Sequence, residues 1–125
     1  MIRTPIERLE DALAFAQRAA SSGLKISREA SQFDCVDFAA TLFNLAMIGE
    51  ALNFVPDEVQ SLAPEIRWAG VRGMRNHIIH QYWQIDSDIV LDTVRIDLPS
   101  LIASLRALLA AGVEGRIPLA SPDAL

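Results

Sequence analysis

The chain has 125 residues, of which 51% are hydrophobic, and its formal net charge is −5. That length fits one domain with a single core, and the lone cysteine, Cys35, excludes an intrachain disulfide framework or a cysteine-rich zinc site. The acidic balance argues against nonspecific coating of nucleic acid, so nucleic-acid chemistry would have to be local, at a patch such as Arg67, Arg72 and Arg75, or helped by a partner.

Thr4-Pro5-Ile6-Glu7 carries a capping-box pattern with proline at the tolerated first helical position. Ile6, Leu9, Leu13 and Ala16 follow at helical spacing, predicting a first helix to Ser22 that Gly23 stops. Residues 24–33 fit either a short helix or a loop. Asp34 is the expected cap of a long second helix ending before Pro56, with Phe38, Leu42, Leu45, Ile48 and Leu52 as its apolar stripe. Phe43, Met47 and Phe54 widen that stripe, which points to a buried helix or a subunit contact. Glu50 is the only acidic residue between Asp37 and Asp57. It reads either as a solvated carboxylate or as the partner of a cation elsewhere, since buried carboxylates are paired.

Residues 56–61 suggest a helical turn, and a third helix is predicted from Trp68 to Tyr82 after Pro64. Asp86-Ser87-Asp88 caps a fourth helix whose apolar face is Ile89, Val90, Val94, Leu98, Leu101, Leu105 and Leu108. Pro99 lies inside it and is expected to kink it or start a new one, and Gly112 ends it. The expected architecture is an all-α bundle of four to five helices over residues 1–112, with an irregular tail over 113–125. Charges interrupt the opening MIRTPIERLE before any apolar run forms, and no stretch approaches the roughly 20 apolar residues of a membrane span. A soluble, cytoplasmic protein is expected, with no membrane contact.

Chemistry concentrates in Arg75-Asn76-His77-Ile78-Ile79-His80-Gln81-Tyr82-Trp83, which holds both histidines of the chain. These residue types suit RNA cleavage without a metal. Histidine can take the proton of a 2′-hydroxyl, and arginine presents fixed donors to the charge growing on phosphate. Asn76 could orient either group. The stretch has no carboxylate cluster to hold a metal, and no cofactor is expected. His77 reads as a bystander; Trp83 could stack on a base, but an aromatic before a turn is more often a core anchor, and it is read as a packing residue. On a straight helix Arg75, Ile79 and Tyr82 share one stripe, while Arg75 and His80 stand about 140° apart. Uniting that pair requires a helix end near His80, Asn76 as a bridge, or a second subunit.

The spacing Arg75, Asn76, three further residues, His80 and then Tyr82 resembles the signature of the HEPN superfamily, and within it the HepT branch. The blocks 44–51 and 64–68, Gly73-Met74 just before the motif, 89–94 and Asp97-Leu98-Pro99 are similar to that branch in the same order, covering roughly residues 5–110. Arg67 stands where a second proline is common, and segment 24–34 fits poorly. The resemblance implies an all-α homodimer whose two motifs line a shared cleft. It implies a metal-independent endoribonuclease toxin of a type VII toxin–antitoxin system, acting on RNA, with transfer RNA among the branch's substrates. Arg75 and His80 would be the catalytic pair, Asn76 the supporting polar residue, and Tyr82 the target of AMPylation by an MntA-like nucleotidyltransferase antitoxin. Apart from the resemblance, Glu50 is expected to support that site as the partner of one of its cations. The alternative is a non-catalytic helical module that binds a nucleotide or partners such a nucleotidyltransferase.

Overall fold

The computed structural model describes residues 2–27 and 35–113, and among these there are helices and turns but no strand. The helices are α1 (Pro5–Gly23), α2 (Val36–Leu52), α3 (Asp57–Gln60), α4 (Trp68–His80), α5 (Ser87–Asp92) and α6 (Leu98–Val113). Of the ambiguous stretch 24–33, residues 24–27 form a turn and irregular chain rather than helix; residues 28–33 and the expected cap Asp34 lie outside the described residues, as does the tail from 114 onward.

The start of α1 is the capping box that the sequence predicts. The Glu7 amide donates to Thr4 Oγ1 at 3.1 Å, and the Thr4 amide donates to Glu7 Oε1 at 3.0 Å, so two otherwise unpaired amides are satisfied. Arg3 reinforces that end through Asp11, with Nη2 to Oδ1 at 2.6 Å. The buried stripe is Leu9, Ala12, Ala16 and Ala19, whose small side chains let α1 lie close against α2.

α2 is the central element, packed by α1 on one side and α4 on the other. Its predicted stripe, Phe38, Leu42, Leu45, Ile48 and Leu52, is buried throughout. Thr41 is fully buried between helices, in contact with Ser22 Oγ at 2.7 Å and donating to the Asp37 carbonyl at 2.8 Å. Phe43 and Phe54 instead remain exposed, Phe54 lying under the Arg8 guanidinium.

α5 and α6 form one continuous helical run joined by a π turn over Thr93–Asp97. The Leu98 amide reaches back five residues to the Thr93 carbonyl. The irregularity expected around Pro99 therefore takes the form of a widened turn just ahead of it, which absorbs one residue where the proline offers no N–H to the ladder. Gly112 does not end α6, which includes Val113, the first residue of the expected tail. The π turn packs on the end of α1, where a Cβ on Gly23 would collide with Val94 Cγ1. None of the described helices is long and apolar enough to cross a membrane.

Candidate active site

Trp68 anchors the start of α4. It is 8% exposed, and its indole Nε1 donates to the Ala63 carbonyl at 3.1 Å. Beyond that anchor no α4 residue is buried. Val71, Met74 and Ile78 pack partly against the core, Arg72 and Arg75 are half-buried, and the remaining residues are exposed.

Gly49 sets the separation between α2 and α4. A Cβ there would collide with Arg75 Cβ and stand 2.9 Å from the Val71 carbonyl oxygen, so the two backbones meet only because this residue is glycine. This close approach brings the adjacent Glu50 against Arg75, whose Nε donates to Glu50 Oε2 at 3.2 Å. Arg75 Nη1 donates to Asn76 Oδ1 at 3.1 Å. Glu50 is thus both partly solvated and paired, with side-chain exposures of 46% for Glu50 and 32% for Arg75. A pair this open contributes little to stability, at most about 1 kcal/mol, but it fixes the direction of the guanidinium. Sequence reasoning did not single out Gly49. Its signal was a residue without a side chain in the middle of an apolar helix, next to that helix's isolated acid.

α4 ends at His80, where Gln81 turns out of the helix with φ −134° and ψ 37°. The predicted helix extended to Tyr82, which would have kept Arg75, Ile79 and Tyr82 on one stripe. Instead Tyr82–Gln84 form a 3₁₀ turn, and Tyr82 leaves that stripe. Asn76 and His80 are exposed, and among the described residues the His80 ring makes no hydrogen bond. His77 Nδ1 pairs with Gln81 Oε1 at 2.9 Å, across the last turn of α4. The packing reading of Trp83 is overturned: it is 65% exposed, standing edge-on to the exposed Tyr82 at 5.5 Å between ring centroids. Its turn follows α4 outward rather than folding back onto the core.

One chain therefore unites Glu50, Arg75 and Asn76 through hydrogen bonds and leaves His80 and Tyr82 outside that network. Among the described residues no three His, Cys, Asp or Glu side chains are grouped to hold a metal ion.

The model of the family described as ribonuclease HepT-like matches residues 2–108. The chain belongs to the HepT-like ribonuclease family. A protein of Thermococcus cleftensis named as a probable ribonuclease HepT is 39% identical over 62 residues, 50% of this chain and 56% of that protein. A Caldanaerobacter subterraneus protein, provisionally named an RNase, is 28% identical over 108 residues, 86% of this chain and 96% of its own length. One from Methanocaldococcus jannaschii, also provisionally named an RNase, is 33% identical over 57 residues, 46% of this chain and 49% of the relative. The chain thus spans about half the length of two of these relatives and nearly all of the third. No solved structure matches it. In this HepT-like chain the Arg75–Tyr82 motif begins at the seam with α2, where Arg75 meets Gly49 and Glu50, and continues through exposed Asn76 and His80 to the turn after α4.

Proposed function

We propose that this protein is a metal-independent endoribonuclease, the toxin of a type VII toxin–antitoxin system, with Arg75 and His80 as its catalytic pair. The observation that carries the reading is the sequence of groups on α4: an arginine aimed by Glu50 and Asn76, followed on the same helix by an exposed imidazole that makes no hydrogen bond among the described residues. His80 takes the proton of a ribose 2′-hydroxyl, the 2′ oxygen attacks the adjacent phosphorus, and the 5′ oxygen leaves with a proton from solvent. Arg75 offers guanidinium donors to the phosphate oxygens as negative charge builds on them. Glu50 acts through Arg75 as a positioning residue, and Asn76 holds the other edge of the fork.

Within one chain Arg75 and His80 project from different sides of α4. The reading therefore includes a homodimer in which Arg75 of one copy and His80 of the other complete each site. The open face of α4, with almost none of its residues buried, supports that arrangement. Tyr82, exposed two residues beyond His80, is the AMPylation site for an MntA-like nucleotidyltransferase antitoxin. A phosphodiester on its hydroxyl would bring a fixed negative charge and an adenosine to the mouth of the site, competing with substrate phosphate.

Purified protein incubated with transfer RNA and a chelator tests this reading. Cleavage should persist with the metal removed, and Arg75→Ala or His80→Ala should lower its rate by about 100-fold or more. Cleavage that needs a divalent ion, or that survives both substitutions, would overturn it. The absence of any cleavage would favour a non-catalytic module.

A further inference from the structure

The two tryptophans of this chain are placed in opposite ways. Trp68 is buried, its indole N–H satisfied by a carbonyl, as a structural tryptophan requires. Trp83 presents most of its ring to the surface, and its N–H has no partner among the described residues. Leaving so large an aromatic surface in water is unfavourable for the isolated chain and marks a place where something binds.

The ring is also held in position. The turn carrying it is closed by the Gln84 amide donating to the Gln81 carbonyl at 2.9 Å and the Ile85 amide to the Tyr82 carbonyl at 3.3 Å. Tyr82 stands nearly perpendicular to it, at 87°, and so braces the indole on one side. Exposed Gln84, and the amide nitrogen of Gln81 whose Oε1 is held by His77, flank the turn with groups able to reach polar edges of a flat ligand. The Cα atom of Trp83 is three residues from that of His80, no more than about 11 Å away even if the chain were fully extended. A π-face, amide groups beside it, and an imidazole on the adjoining turn of the chain are the elements that hold a single-stranded nucleobase next to its phosphate.

We propose that Trp83 is a base-stacking platform that positions a nucleobase of single-stranded RNA beside the scissile phosphate. The proposal rests on the ribonuclease reading of the same site and adds a residue outside the Arg75–Tyr82 motif. Stacking tolerates any base, so this platform supplies affinity and register with little sequence preference. In an acidic chain it gives the substrate a hold that does not depend on a basic surface.

The test uses the full chain carrying His80→Ala and a labelled, eight-nucleotide oligoadenylate, with binding followed by anisotropy and by tryptophan emission. Emission should be quenched on binding, and Trp83→Ala in the same background should weaken binding about tenfold or more, while Trp83→Phe keeps most of it. In the otherwise unsubstituted protein, Trp83→Ala should raise KM with kcat little changed. Equal binding with and without Trp83, or binding without quenching, overturns the proposal. It is also overturned if Trp83→Ala dissociates a larger species in light scattering while RNA binding is unchanged, because the ring then belongs to a contact between copies. Oligonucleotide binding through Trp83 without cleavage by the unsubstituted protein would sink the ribonuclease reading alone, and cleavage indifferent to Trp83 would sink the stacking alone. If the oligonucleotide is neither bound nor cleaved, both fail.

Discussion

α1 and α4 lie on either side of α2 and are built to opposite ends. α1 buries Leu9, Ala12, Ala16 and Ala19 completely, and its N-terminus is fixed by a capping box and the Arg3–Asp11 pair. α4 buries only Trp68, has no side-chain cap, and presents Gly73, Asn76, His77, Ile79 and His80 to the outside. A helix that added only stability would show the pattern of α1, with an apolar stripe turned to its neighbour and charges opposite. α4 instead uses a narrow seam of Val71, Met74, Arg75 and Ile78 against α2 and leaves Asn76, His77 and His80 at the surface. The division of labour we propose is that α1, α2 and α6 hold the chain together while α4 carries the chemistry.

Gly49 of α2 and Gly73 of α4 offer the sharpest way to break that contrast. Gly49→Ala pushes a methyl group into Arg75 and the Val71 carbonyl, so unfolding in denaturant should show a loss of about 1–3 kcal/mol. RNA cleavage should fall with it as Glu50 and Arg75 separate. Gly73→Ala meets nothing within 4 Å on the open side of α4 and should stabilise the isolated chain by about 0.5–1 kcal/mol, through helix propensity alone. Comparable losses in both variants would mean that the α2–α4 seam is not where the structure puts it.

Glu50→Gln separates positioning from stability. The pair is partly solvated, so the melting temperature should hold, whereas kcat should drop about tenfold as the guanidinium loses its fixed direction. A changed melting temperature with unchanged kcat would make the pair merely structural. At the start of α1, the Thr4 backbone amide, then the Thr4 hydroxyl, and then Arg3 hold the Glu7 carboxyl below the usual carboxylate range. A group with a lowered pKa in the folded state contributes stability at neutral pH and loses it as pH falls through the folded value. Melting followed between neutral pH and about pH 3 should therefore show a shallower acid decline in Glu7→Gln than in the parent. Identical acid limbs would remove Glu7 from the account.

Much of this division was legible in the sequence. The capping box at Thr4, the buried stripe of α2 and the Asp86 cap of α5 each follow from local rules, and each stands where those rules put it. The cluster of polar groups at Arg75–Tyr82 was equally visible, because so few other residues of the chain carry comparable chemistry. The pairing of Glu50 with Arg75 was open to either reading, because it depends on a close helix approach that Gly49 permits and no spacing rule encodes. Trp83 misled for a related reason. An aromatic before a turn is usually a core anchor, and only the outward course of the 3₁₀ turn shows that this one is not. Pro99 indicated an irregularity but not its form, since a kink, a break and a π turn all satisfy a missing N–H.

The central claim is that one chain holds Arg75 and His80 apart and that a second copy unites them. Mixing Arg75→Ala protein with His80→Ala protein, after unfolding and refolding together, tests it directly by RNA cleavage. Each variant alone should be inactive, and the mixture should recover up to about a quarter of parental activity, because half the dimers are mixed and each mixed dimer has one intact site. A mixture as inactive as its components would contradict the shared site and return the chemistry to a single chain.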